Sequence, residues 1–380
     1  MGVERLLRDD DAVALLELTR EIAAEQLAPR AAEAEELGRF PAEAYEVLGR
    51  SGLMGLPFAE AYGGGDQPYE TYLQVVEEVA TAWPSVGVGL SVHSLTVSVV
   101  DQHGTDEQRT TWLPRMVGGE WLGAYCLSEP QAGSDVSGIA TRATKQHDEY
   151  VLHGAKQWIS NGSCADYYIL FARTGDDPKR GLSTFLVPDG TDGVSFGAPE
   201  RKMGLHSDVT TPVLFEGARI PEAQRLGQEG DGMKIALSAL DAGRLGIAAV
   251  ATGIGQAALD HAVAYAAERK QFGRPIGDFQ GLQFLLADMA ADVERARATY
   301  LHAARLKDAG RPFSRQASIA KLTATDAAMR VTTEAVQVLG GNGYTQDYPV
   351  ERLFRDAKVT QIFEGTNQIQ RMVIGRSLFS

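Results

Sequence analysis

Along the first part of the chain, apolar positions recur with the period of a helix. Leu15, Leu18 and Ile22 form a stripe that Val13 and Leu16 widen, just after the Asp9-Asp10-Asp11 triplet. Pro29 and Gly38 punctuate the run, and Pro41 is placed to open a second helix at its first turn. That helix carries Ala44, Val47 and Leu48 on one face and ends near Gly52. Residues 61–66, with Gly63, Gly64 and Gly65 in a row, read as a loop. Tyr72, Val75, Val76 and Val79 then resume the helical period. Residues 85–100 are almost uncharged, with Val86, Val88, Leu90, Val92, Leu95 and Val97 among them. This predicts a buried helix or a pocket wall, even though β-branched residues lower helix propensity. Asp106 to Arg109 lead a short helix to Trp112, so residues 1–118 are expected to be all-helical.

Between about 119 and 228 the stripes give way to short β-rich runs between turn residues. Residues 167–172 precede a turn at 175–178, 184–187 end at Pro188-Asp189-Gly190, and 212–215 end at Gly217. Such runs predict a small β-barrel or sandwich. From Gly232 long helices return. Ile235, Leu237, Leu240, Leu245 and Ile247 begin one that continues through an Ala/Gly-rich segment to Arg269, where Gly273-Arg274-Pro275 breaks it. Phe284, Leu285, Met289, Val293 and Ala296 mark the next. A further helix spans 319–339, with Val331, Ala335, Val338 and Leu339 on one face and Gly340 as its C-terminal cap. The expected fold class is α+β: an N-terminal helical domain (1–118), a central small β-barrel or sandwich domain (119–228) and a C-terminal four-helix bundle (229–380). A chain of 380 residues exceeds the roughly 250–300 at which a single core stops growing, which agrees with several domains.

Composition mainly excludes. A net charge of -14 argues against nucleic acid and anionic membranes as partners. Cys126 and Cys164 form no CxxC, and the histidines show no HExxH, so neither a disulfide framework nor a metal site is expected. No apolar run approaches the ~20 residues of a membrane span, and the acidic N-terminus is wrong for a signal peptide, so a cytoplasmic location is expected. Gly253-Ile254-Gly255-Gln256-Ala257-Ala258 formally matches a dinucleotide fingerprint, but it lies inside a helical run with no strand before it. Small residues for close helix packing explain it better. Gly340-Gly341-Asn342-Gly343 resembles a phosphate loop without the Lys-Ser/Thr of a P-loop, and loop closure explains it equally well.

Three stretches carry candidate chemistry. In residues 362–371, Glu364 sits between an apolar pair and Gly365, and Thr366 or Asn367 can cap a helix whose apolar positions are Ile369, Met372 and Val373. A carboxylate so placed is a candidate for a raised pKa and hence a general base, against the alternative of a solvated surface acid. Residues 126–138 offer hydroxyls and small side chains that suit a flat heteroaromatic ligand laid against backbone; a surface turn is the alternative. Trp158-Ile159-Ser160-Asn161-Gly162 adds an aromatic plane and a hydroxyl that could reach a ring heteroatom, against the alternative of a core tryptophan.

Taken together these segments resemble the acyl-CoA dehydrogenase family. Residues 126–138 and 337–356 are similar to its two signature segments, 364–368 to its catalytic-base loop and 269–273 to its helix-end segment at the subunit interface. The resemblance runs through the whole chain in order. It implies FAD and an acyl-CoA thioester. Glu364 takes the α proton while the β hydride passes to flavin N5, and donors that include the Glu364 backbone N–H meet the developing enolate oxygen. It further implies that Tyr125, Cys126, Leu127, Ser128, Gly133 and Ser134 line the flavin. Trp158, Ile159 and Ser160 back the ring. Arg269, Phe272, Phe279 and Gln280, with Gln337, Val338, Leu339, Gly340 and Gly341, hold the ADP half across a subunit boundary, with Thr366, Asn367 and Gln368 completing that contact. Ser134, Asp241, Arg244 and Gly365 match positions that touch the acyl-CoA. A homotetramer (a dimer of dimers) and electron-transfer flavoprotein as electron acceptor are further implications. Some family members carry the base immediately before the arginine matching Arg244; here that position is Gly243, which leaves Glu364 as the matched candidate. An oxygen-using oxidase on the same fold and a non-catalytic acyl-CoA-binding protein are the alternatives.

Overall fold

The computed structural model describes residues 3–178 and 180–379. Its N-terminal section contains α1 (Asp10–Ile22), α2 (Ala28–Leu37), α3 (Ala42–Arg50), α4 (Tyr69–Ala82), α5 (Pro84–His103) and α6 (Asp106–Val117). Asp9 caps α1 by accepting the Ala12 N–H at 2.9 Å, and a capping box of Thr105 and Gln108 opens α6. Pro29 does not interrupt the first helix as the sequence suggested. A π-turn at Ala23–Leu27 joins α1 to α2, and Pro29 falls in the first turn of the new α-segment, where its missing N–H needs no partner. The buried stripe of α1 is Ala12, Leu16, Thr19 and Ile22, whereas Val13 and Leu18 face outward. Helix α6 also runs past Trp112 to Val117. Residues 85–100 form a helix, as expected, and α5 is buried on almost every side.

The middle section is an eight-stranded sheet made of β1 (Gly123–Cys126), β2 (Arg142–Gln146), β3 (Glu149–Ser160), β4 (Tyr167–Arg173), β5 (Leu182–Pro188), β6 (Val194–Phe196), β7 (Thr210–Pro221) and β8 (Arg225–Leu226). Strand order is β6-β7-β3-β2-β4-β5-β8, with β1 lying parallel on β4. Strands β2 and β4 pair through Arg142 and Arg173 alone. One side of the sheet buries Cys126, Tyr150, Leu170, Phe185 and Phe215 together. Its other side packs through Ile169, Phe171 and Leu186 onto Leu95, Leu113 and Ile235. Strands β2 and β3 escaped the sequence reading because their polar, half-exposed residues lack a strong apolar alternation.

The C-terminal section consists of α7 (Gly232–Glu268), a short hairpin of β9 (Lys270–Gln271) and β10 (Arg274–Pro275), α8 (Gln280–Asp308), α9 (Ser314–Leu339), α10 (Val350–Thr360) and α11 (Asn367–Arg376). Helix α7 is central and touches α4, α5, α8, α9 and α10. It is long and apolar enough to span a membrane by length and composition, but most of its apolar stretch is buried inside the molecule. Gly253 and Gly255 serve helix packing, since a Cβ on Gly253 would lie 2.5 Å from the Glu77 carbonyl oxygen. Gly340 ends α9 at φ 60, a conformation glycine adopts without penalty. Two positions read as core stripe, Leu237 and Phe284, are instead exposed.

Buried polar hubs lock the sections together. Glu35 of α2 accepts hydrogen bonds from Trp83 Nε1 (3.0 Å) and the His206 N–H (2.6 Å), joining the helices to the loop before β7. Glu77 of α4, fully buried, pairs with Arg297 of α8 (2.7 Å) and with Arg5 (3.1 Å).

Candidate active site

Glu364 stands on the short loop between α10 and α11. Thr366 caps α11 by accepting the Ile369 N–H at 3.2 Å. Just before the cap, Glu364 (φ 51) and Gly365 (φ 85) both adopt left-handed backbone. For a glutamate this conformation is uncommon, and it persists where surrounding contacts hold it. The side chain points back at α7. Its Oε2 is sealed from solvent without a hydrogen-bond partner among the described residues, and a Cβ on Gly243 would lie 2.7 Å from that oxygen. Glycine at 243 is therefore the space the carboxylate occupies. Burial pushes the Glu364 carboxyl up to about 7, while the Arg244 guanidinium and then the Lys321 ammonium pull in the opposite direction.

Three elements furnish the surroundings. Arg244 of α7 is buried and pairs with Asp241, whose Oδ1 also accepts from Ser314 Oγ at 2.9 Å. Lys321 of α9, fully buried, donates to the Gly365 carbonyl (2.9 Å) and to Asn367 Oδ1 (3.0 Å). Burial brings its ammonium down to about 7, with Glu364 and Asp326 opposing that shift. Gln370 Nε2 also donates to the Gly365 carbonyl, at 2.9 Å. The hydroxyls of Tyr69 and Tyr125 are pushed well above their ordinary range by burial, and the Glu364 charge adds to the effect. A cavity of about 50 Å3 continues past Gly243 and Leu95, flanked by Ser91, Ser94 and Ser98 of α5. Asp101 and Lys307 line it as well.

A second group of residues surrounds β1 and the end of β3. The segment after β1 is pinned from below. Buried Lys156 donates to the Leu127 carbonyl (3.0 Å) and to Glu129 Oε1 (2.8 Å), and Glu129 also accepts the N–H groups of Ala140 and Thr141. Cys126 and Leu127 turn their side chains into the core, leaving backbone for any ligand, whereas Gly133 and Ser134 are exposed and Tyr125 and Ser128 half-buried. A bulge between Lys156 and Ile159 re-aims Trp158, which sits at φ 63 with its indole 61% exposed. A core tryptophan is thereby excluded. Ile159 is buried and Ser160 Oγ donates to Asp208 Oδ2 at 3.0 Å. An exposed indole beside a rigid small-residue loop, with open space at Gly133, fits a flat isoalloxazine ring.

The remaining sequence candidates lie apart. Arg269 ends α7, 25 residues beyond Arg244, or roughly 37 Å along the helix axis. With it are exposed Phe272, half-buried Phe279 in edge contact with it (6.0 Å between centroids) and exposed Gln280. Gln337, Gly340 and Gly341 are exposed, while Val338 and Leu339 point into the helical core. Asn367 is buried and bonded to Thr325 and Asp326, and Gln368 is exposed. Sequence reasoning missed Lys321, although the signal was present. It is a lone lysine in phase with buried Ala317, Ala324 and Ala328 on one face of α9.

Fold and site are those of a flavin-dependent oxidoreductase, and known proteins similar to this chain say which kind. Residues 9–120, 124–218 and 230–379 match the N-terminal, middle and C-terminal domains of acyl-CoA dehydrogenase. The chain is 46% identical over 368 residues to an acyl-CoA dehydrogenase of Bacillus subtilis (strain 168), covering 96% of this chain and 97% of that protein. Butyryl-CoA dehydrogenase from Megasphaera elsdenii superposes with a TM-score of 0.97 at 43% identity, covering 99% of this chain and 100% of that one. A chain from a structure titled as the electron transferring flavoprotein of Acidaminococcus fermentans superposes with a TM-score of 0.97 at 42% identity, covering 99% of both. The chain belongs to the acyl-CoA dehydrogenase family, whose members depend on FAD and dehydrogenate acyl-CoA thioesters.

Proposed function

We propose that Glu364 is the base that removes the α proton of a short-chain acyl-CoA as the trans-2-enoyl thioester forms. The observation that carries this is the sealed Glu364 Oε2 facing Gly243, a residue that also lines the cavity. FAD, when bound against Trp158 and the 127–134 segment, supplies the acceptor for the β hydride. The chain's own residues do the rest. Glu364 takes the proton with a carboxyl tuned near neutrality, and its backbone N–H is the protein donor for the developing enolate oxygen. Arg244, paired with Asp241 and close to Glu364, is the group we assign to the thioester portion. The small cavity favours a short acyl chain, and its serines and the charged Asp101 and Lys307 offer poor company to a long apolar tail. Butyryl-CoA is the substrate named for the M. elsdenii structure, which agrees.

The Arg269 set cannot reach the same flavin ring from within one chain, given its separation along α7. We read it as the ADP-binding half of a site shared between copies, as in a homotetramer. The A. fermentans structure supports electron-transfer flavoprotein as the physiological acceptor.

Anaerobic mixing of the yellow protein with butyryl-CoA tests the reading. Flavin absorbance is expected to bleach, and Glu364→Gln is expected to keep the colour and the ligand affinity but to lose bleaching by at least a thousandfold. An undiminished rate in Glu364→Gln removes Glu364 from the role. Rapid hydrogen peroxide formation in air moves the enzyme to the oxidase reading, and a protein without bound FAD moves it to the acyl-CoA-binding one.

A further inference from the structure

The loop that bears Glu364 is held in its left-handed conformation from one side by a single charged group. Lys321 Nζ reaches out of α9 to the carbonyl of Gly365, the residue after Glu364, and to the side chain of Asn367, the first residue of α11. Both acceptors are neutral. A neutral donor could have satisfied them, yet a fully buried lysine is present, and charging a buried amine is costly unless something nearby is anionic. The nearby anions are Asp326 and, with the larger effect, Glu364, whose Oε2 has no hydrogen-bond partner among the described residues.

We propose that Lys321 is a positioning residue for Glu364: it clamps the Gly365 carbonyl so that the carboxylate faces Gly243, and its charge favours the ionised form of that carboxylate, the form that takes the proton from substrate. The cation lies behind the loop, on the α9 side, and leaves the α7 side open for the thioester. Its two effects are separable. The clamp runs through Gly365 and Asn367, where Gln370 Nε2 is a second donor to the same carbonyl. The charge acts through space on Glu364 together with Arg244 of α7. The other titratable groups facing this assembly are Asp326 on α9, Asp241 on α7, Tyr69 on α4 and Tyr125 on β1. Asp326 is already engaged by Arg371 (3.0 Å), Asn367 and Gln361, and Asp241 by Arg244 and Ser314. Burial holds both tyrosines neutral. Lys321 and Arg244 are then the cations that set the ionisation of Glu364.

The charge effect can be read without turnover. In FAD-loaded protein free of substrate, the carboxyl stretching band that Glu364→Gln abolishes is followed by infrared difference spectroscopy as pH is varied. Lys321→Met is expected to move its midpoint upward by about one unit or more, the size of shift an opposite charge at this range produces. Asn367→Ala, which removes one tie but leaves the charge, is expected to leave the midpoint in place, and Lys321→Arg to restore part of the shift. An unmoved midpoint in FAD-loaded Lys321→Met overturns the proposal. So does a Lys321→Met protein that fails to bind FAD while Lys321→Arg shows a midpoint equal to that of Lys321→Gln. The inference rests on Glu364 being the base. Wild-type protein that shows the band but does not bleach with any acyl-CoA refutes that reading and leaves the electrostatic result standing. Where bleaching does occur, Lys321→Met is expected to lower the maximal rate at least about fivefold at pH 7 with KM changed less than threefold, and to recover partly as pH rises.

Discussion

At the scale of single residues, the site is a matter of one glycine making room for one carboxylate. A Cβ at 243 would stand 2.7 Å from Glu364 Oε2, well inside contact distance. Gly243→Ala is expected to turn the carboxylate away and to lower the bleaching rate by ten- to a hundredfold while FAD content stays normal, as stopped-flow mixing would show. The pH dependence has a definite sign. The ionised carboxylate is the active form, and its pKa is raised to about 7. Bleaching is therefore expected to rise about tenfold per pH unit below 7 and to level off above it. The sequence already pointed to Glu364, through its apolar neighbours and the Thr366 cap. It did not point to the partners, because a lysine on a helix reads as surface until the phase of its alanines is taken into account. Trp158 was legible as an aromatic plane, but its exposure depends on a bulge in β3 that no local signal announced.

At the scale of elements, periodicity carried far where apolar stripes were continuous and failed where polar groups do the packing. Helices α5, α7 and α9 were readable from their apolar faces. The β2–β3 hairpin was not, because inside β3 lies Lys156, a charge at a position fully removed from water. That lysine and Glu129 fix the segment that carries Ser128, Gly133 and Ser134. Lys156→Met leaves Glu129 buried and without its counter-charge, a change that costs about 3–5 kcal/mol. A lower denaturant midpoint and a lower ratio of flavin to protein absorbance are the expected outcomes. Burial alone would raise the Glu129 carboxyl, but Lys156 and the surrounding N–H donors bring it to about 2, below its ordinary value of 4.5. The stabilisation from this carboxylate is thus present above pH 4.5 and is lost as pH falls through 2, whereas Lys156→Met is expected to flatten that part of the stability curve.

At the scale of the molecule, the helix, sheet, helix order was legible because the hydrophobic period changes from that of a helix to short strands and back. How the sections interlock was not, since hubs such as Glu35 and Glu77 join residues far apart in sequence. Three exposed aromatic rings of the C-terminal section, Phe272 (94%), Tyr344 (87%) and Phe284 (61%), are where the proposed assembly would form. Phe272→Asp is expected to shift the sedimentation coefficient toward smaller species and to weaken FAD retention together; loss of neither places the interface elsewhere. The π-turn at Ala23–Leu27 bears on how this fold tolerates changes of length. Core positions before it (Ala12, Leu16, Thr19, Ile22) and after it (Leu27, Ala31, Ala34) follow one helical clock that has been set back by a single tick. The wide turn thus accommodates one extra amino acid without interrupting the rod. Excising one residue there would leave an unbroken helix, yet would rotate its two halves out of phase by about 100°, swinging either Ala31 and Ala34 or the N-terminal arm with Arg5 off the surfaces they now cover.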